Sequence, residues 1–225
     1  PLAMPGTYTV KLIVDGATYT QTLVVHNDPR IGEGATMMSA LRTQNKLALA
    51  SWQGMKDAYA GNDEVAAMRA QVAAIAAGNL PPDVATAATA LDAKLATFGG
   101  ATGRGGRGGG GGGGGGGRGG GAGASGGVTA FNAINGTFNT VLAPMAQNGL
   151  DMPPSKAMID TWENTCKDLT ATITAWKTML GVDLVAFNSL LTKNNLTALK
   201  ITPAAVTAPA SCTFVPPAPP AGAPR

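Results

Sequence analysis

Chemistry in this 225-residue chain has very few side chains to start from. There is one histidine, His26, so any Ser-His-Asp relay would have to pass through it. It closes a strand-like run and no strand-turn-helix nucleophile elbow accompanies it, which makes it a strand-end surface residue. Asp160 and Glu163 stand one helical turn apart, and Asp28 and Glu33 share a loop. Paired carboxylates cleave glycosides when they flank a cleft. Asp160 and Glu163 instead border an apolar seam on its exposed side, where charges are normally solvated. No Glu-x-x-His pair of the di-metal type occurs, and two cysteines with one histidine are too few for a structural zinc site. No catalytic, cofactor-binding or metal-binding residue is therefore assigned, and no cofactor is expected.

The two cysteines, Cys166 and Cys212, allow a single disulfide. In an oxidising compartment a bridge would pin the tail to a helix; otherwise Cys166 is a buried thiol and Cys212 an exposed one. A run of ten glycines, Gly108 to Gly117, is flanked by Arg104, Arg107 and Arg118. No Gly-Lys-Ser/Thr follows, so this is not a phosphate loop. RNA-binding arginine-glycine segments interleave aromatics for stacking, and none lies between Phe98 and Phe131. The net charge of +3 comes from 16 basic and 13 acidic residues; without these three arginines the balance is 13 to 13. The excess charge belongs to a loop, so a nucleic-acid partner is disfavoured. Asn135-Gly-Thr and Asn195-Leu-Thr fit the N-glycosylation pattern.

The elements that position these residues are mainly helical. Removing the glycine tract and the Pro/Ala-rich end leaves about 170 residues, enough for one helical core and a small β element. Met38, Leu41, Asn45, Ala48, Trp52, Met55 and Tyr59 step three and four through residues 36–60. Gly61-Asn62-Asp63 predicts a break, after which Val65, Met68, Val72 and Ile75 mark a second helix. Pro81-Pro82 opens a third, with Val84, Ala88, Leu91, Leu95 and Phe98 on its seam. Beyond the tract, Val128, Phe131, Ile134, Phe138, Val141, Leu142 and Met145 mark a fourth. Ile159, Trp162, Cys166, Leu169, Ile173, Trp176 and Leu180 mark a fifth. Gly181 predicts its stop, and Asp183 can cap a short sixth helix carrying Ala186, Phe187, Leu190 and Leu191. The expected fold is an antiparallel bundle of five to six helices.

Ahead of the bundle, Tyr8, Val10, Leu12 and Val14 alternate with Thr9, Lys11 and Ile13, the period of a strand with one buried face. Asp15-Gly16 suits a two-residue hairpin turn, and Ala17 to Val25 returns. A tight turn places Leu12 opposite Tyr19, Val10 opposite Gln21 and Tyr8 opposite Leu23. A two-stranded hairpin is marginal alone, and no other stretch reads as a strand of similar strength. With a start that is neither signal peptide nor initiator, this suggests a segment of something longer.

The residues Pro5-Gly-Thr-Tyr-Thr-Val-Lys-Leu12, Val14-Asp-Gly16, Thr22-Leu-Val-Val25 and Asp28-Pro-Arg30 carry a resemblance. They resemble the closing hairpin of an Ig-like or fibronectin-like module near the C-terminus of large secreted bacterial proteins with a sortilin-type, Asp-box (BNR) repeat β-propeller, often of the glycosyl hydrolase-like, exo-sialidase-like class. About 25 residues match well and the Ala-rich helical remainder loosely. No Asp-box lies in this chain, so no site residue transfers. The resemblance implies a secreted or periplasmic, non-catalytic structural and interaction region, with an upstream propeller of the same parent as its partner.

The expected organisation is a β-hairpin at 1–30, a first helical half at 31–98, a Gly-rich linker at 99–127, a second helical half at 128–202 and a disordered Pro/Ala-rich tail at 203–225, in which Phe214-Val215 docks locally. Two alternatives accompany the favoured function: a stand-alone helical assembly protein, homo-oligomeric through its hairpin edge or by helix swapping, and a hydrolase acting on glycosides. No apolar run approaches the length of a membrane span. Loop-closure entropy changes by only about 0.6 kcal/mol per doubling of length. Replacing Gly103–Gly127 by a much shorter Gly/Ser linker should therefore leave the fold intact. A large fall in unfolding temperature would contradict the linker reading.

Overall fold

The computed structural model describes residues 2–30, 34–99, 128–147, 152–200 and 206–218. The glycine tract, its three arginines and Glu33 lie outside them. The chain is mainly helical behind an N-terminal antiparallel hairpin, β1 (Gly6–Val14) and β2 (Ala17–Val25). The helices are α1 (Ala35–Ala76), α2 (Pro82–Gly99), α3 (Phe131–Gln147), α4 (Lys156–Met179) and α5 (Val185–Lys193), with a π-helical turn, Leu180–Leu184, joining the last two.

The hairpin register is the one its turn dictates. Asp15 and Gly16 both take positive φ, 48° and 81°, the backbone of a turn whose twist matches its strands. Leu12 consequently faces Tyr19, Val10 faces Gln21 and Tyr8 faces Leu23.

Two compact units divide the described residues. One contains residues 1–53, 138–164 and 212–225; the other contains 54–137 and 165–211. In the second unit the antiparallel relations can be read from side chains. Arg69 of α1 forks onto Asp92 of α2 through two hydrogen bonds (2.7 and 3.0 Å), while Val65 lies against Gly99. Asn135 of α3 donates to the Met55 carbonyl, while Phe131 lies against Gly61. Lys94 of α2 meets Asp183 in the π turn, while Asp83 accepts from Asn194. The core of this unit includes Val72, Leu95, Phe131, Ile134, Leu169, Ile173, Trp176, Leu184 and Leu191. Trp176 meets Phe98 edge to face, and its indole N–H is satisfied by Glu64 at 2.9 Å. In the first unit the core includes Leu41, Leu47 and Ala48 of α1, Phe138, Val141, Leu142 and Met145 of α3, and Trp162 of α4 with Phe214.

Five expectations change. Gly61-Asn62-Asp63 does not break α1, which runs 42 residues, about 63 Å. Its buried stripe is Leu41, Gln44, Leu47, Ala48, Ser51, Gly54, Ala58, Gly61, Val65, Met68 and Val72. Trp52 and Tyr59, expected in the seam, are exposed. The reason is phase: a single helix keeps one face turned inward, and the face continuous with Val65, Met68 and Val72 runs back through small residues. Gly181 does not stop α4 either. The π turn carries the helix on, with Leu180 and Leu184 buried, so that Phe187 and Leu191 continue the apolar stripe while Ala186 stays exposed. Residues 206–218 lack regular structure, yet Val206 and Phe214 are buried; of the expected docking pair, Val215 remains exposed. The hairpin, expected to bury one face, buries neither.

Packing explains why a glycine stands inside α1. A Cβ at this position would lie 2.6 Å from the Phe131 ring, whereas one at Gly181 would meet nothing within 4 Å. Gly61→Ala should therefore lower stability by about 1–3 kcal/mol through overpacking, despite the better helix propensity of alanine. Gly181→Ala should leave stability unchanged or raise it by up to about 1 kcal/mol. Denaturant unfolding of the two variants checks both signs.

Candidate interaction site

Residues directly opposite in an antiparallel pair share a face. One face of the hairpin therefore carries Tyr8, Val10, Leu12 and Val14 with Leu23, Gln21, Tyr19 and Ala17. The other carries Thr7, Thr9, Lys11 and Ile13 with Val24, Thr22, Thr20 and Thr18. The first is apolar apart from Gln21; the second is rich in threonine and holds Lys11, the one charge in either strand. Every residue from Gly6 to Val24 is exposed, Leu12 at 58% and Tyr19 at 61%. No third strand pairs with the sheet among the described residues. Both outer edges thus offer backbone N–H and C=O groups along nine-residue strands that contain no proline.

The base of the hairpin is fixed. The Tyr8 hydroxyl donates to the Met4 carbonyl at 2.6 Å, and Asn45 of α1 donates to the Leu2 carbonyl at 3.0 Å. A shallow cavity lies between Leu2–Pro5, His26–Asp28 and the α1 residues Leu41, Gln44 and Asn45. His26 is exposed at its rim, one residue past β2, the strand-end position its pattern indicates. Asp28 is engaged by the Arg30 guanidinium and by the Arg30 backbone N–H, which hold its pKa down to about 2. A carboxyl that stays ionised at neutral pH cannot serve there as a general acid.

The Asp160 and Glu163 pair is also separated by its partners. Asp160 receives Lys156 one turn earlier at 2.6 Å. Glu163 is half-buried, and its Oε1 accepts the Phe214 backbone N–H at 2.8 Å. The seam pattern reads Glu163 as a solvated charge on the exposed side; it is instead half-buried, with a partner 51 residues away that nothing in the local sequence announces. Both cysteines are disulfide-bonded. Among the described residues no group of three or more His, Cys, Asp or Glu side chains could hold a metal ion, and no helix is long and apolar enough to cross a membrane.

The exposed hairpin makes its own energetic prediction. Replacing Leu12 and Tyr19 together by threonine should leave helical unfolding within about 0.5 kcal/mol of the parent, as surface substitutions usually do. Trp176→Ala, in the core, should cost about 3–5 kcal/mol. Denaturant unfolding followed at the helical circular-dichroism band separates the two cases.

No protein-family model, curated protein or solved structure was found to match this chain.

Proposed function

We propose that this chain is a non-catalytic structural and interaction region whose hairpin completes an Ig-like β-sandwich contributed by another part of a larger parent protein. The observation that carries this reading is an apolar sheet face left exposed over its whole length, with two unpaired edges beside it. Such a surface satisfies itself by adding strands at the edges and a second sheet over the face.

A second copy of the hairpin is a poorer match. Nine residues at about 3.4 Å and two strands about 4.8 Å apart give a face of about 300 Å². Two copies face to face would bury about 600 Å² in total, short of the roughly 1,200–2,000 Å² of stable interfaces. Strands that bond the edges as well as cover the face supply what the pair lacks.

The parent we infer is a secreted or periplasmic protein of the Asp-box propeller class, on the strength of the Pro5–Leu12, Val14–Gly16, Thr22–Val25 and Asp28–Arg30 resemblance. The disulfide form of both cysteines agrees with an oxidising compartment. Packing against the propeller, or supporting its assembly, is the role this arrangement serves.

Amide exchange tests the reading, with the chain alone compared with the chain carried on the polypeptide that precedes it in its reading frame. In the longer protein the outward-facing amides of β1 and β2 should become protected, and Asp-box repeats should be found upstream. Equal, fast exchange of those amides in both proteins would sink the proposal. If protection appears only as the concentration of the isolated chain rises, the hairpin is a self-assembly edge instead.

A further inference from the structure

Gln21 interrupts the apolar face of the hairpin. It stands opposite Val10, in a row flanked by Leu12 with Tyr19 on the turn side and by Tyr8 with Leu23 on the base side. In the chain as it stands Gln21 is exposed, and water can satisfy its amide. A cover laid over this face removes that water. An amide pressed against hydrocarbon would lose its hydrogen bonds without replacement. Tyr8, in the next row, meets the same problem within the chain, because its hydroxyl donates to the Met4 carbonyl at 2.6 Å. Tyr19 carries its hydroxyl at the tip of a long ring, which can keep the oxygen wet at a rim. The Gln21 amide must find its partner in the cover.

We propose that the sheet covering this face carries a neutral hydrogen-bonding side chain, Asn, Gln, Ser or Thr, opposite Gln21, within otherwise aliphatic and aromatic surroundings. The inference rests on the Ig-like sandwich reading given above. A glutamine amide donates through its nitrogen and accepts through its oxygen, and each of these four side chains can return at least one of the two bonds. The backbone of a covering sheet is committed to its own ladder, so the partner is a side chain. A charged partner would be buried without a counter-charge, since Lys11, the one charge in either strand, lies on the opposite face. The pair also fixes register. Side chains on one face recur at every second residue, so sliding the cover by one such step, about 7 Å, sets both polar groups against hydrocarbon. Aliphatic side chains alone would tolerate that slide. Gln21 is therefore the residue of the docking face that selects both the partner and its alignment.

The test places Gln21→Leu in the chain alone and in the chain carried on the polypeptide that precedes it in its reading frame, and follows amide exchange of β1 and β2. Leucine is close to glutamine in size and more apolar, so the direction of the change is diagnostic. In the longer protein the substitution should lower protection of the strand amides by about tenfold or more, because the partner group is left buried and unpaired. In the chain alone exchange should not change. The double variant Val10→Gln with Gln21→Val keeps the composition of the row and moves the amide to the other strand; it should lose protection similarly. Unchanged or raised protection in the longer Gln21→Leu protein would overturn the polar partner while leaving the sandwich reading intact. Full protection in the double variant would overturn the role in register. Equally fast exchange of the unsubstituted strands in both proteins would overturn the sandwich reading and this inference together.

Discussion

The close approach of Phe131 to Gly61 is the constraint on which the helical packing depends. A single aromatic ring fills the space a β-carbon would need, and α3 can bring that ring so close to α1 only because Gly61 has none. The same economy runs along the inward face of α1. Ser51, Gly54 and Ala58 are buried beside it, small enough for neighbouring backbones to come near. The Ser51 hydroxyl is satisfied within its own helix by the Leu47 carbonyl. The large apolar volume of the core is supplied instead by the facing helices, above all Phe131, Phe98 and Trp176. Packing of small against large lets a long, alanine-rich helix act as a backbone without a conventional leucine seam.

That arrangement also explains what could be read from residue order. The hairpin was fully legible in register, because an alternating pattern around an Asp-Gly turn has one solution. Helix α2 and helix α4 were legible in phase, because Leu, Ile, Val, Phe and Trp recur among their buried positions at steps of three and four. The phase of α1 was not. Trp52 and Tyr59 are the two aromatic residues of α1, and bulk invites them into a core that the structure makes from Gly, Ala and Ser. Small residues carry no periodic signature of burial, so a seam built from them is invisible without its neighbours. Gly61 and Gly181 were misread for a related reason: a glycine reads as a stop when only the local chain is considered. One is a notch for a ring, and the other lies within a π turn.

The polar contacts follow a similar division. Short-range pairs such as Lys156 with Asp160 are written into helical spacing. Glu163 with Phe214, Glu64 with Trp176 and Asn135 with the Met55 carbonyl join residues 51 to 112 positions apart, and only the folded chain brings them together. Glu163 is the instructive case. Its border position was read as a solvated charge, yet it spends its oxygen on a backbone N–H and so gives direction to a stretch of chain that has no secondary structure of its own. The exposure of the hairpin was hidden differently: an alternating strand announces a face that prefers burial, but not whether the same chain provides the cover.

The hairpin carries a biosynthetic consequence. Two nine-residue strands, rich in threonine, valine and tyrosine and free of proline, form the kind of segment that templates cross-β stacking. Lys11 is the lone gatekeeper charge within them. A chain released with this surface bare is a seed for aggregates at high concentration. Whatever covers the hairpin is therefore best supplied during synthesis, before separate molecules meet, and the timing of that cover becomes as much a requirement of this protein as its chemistry.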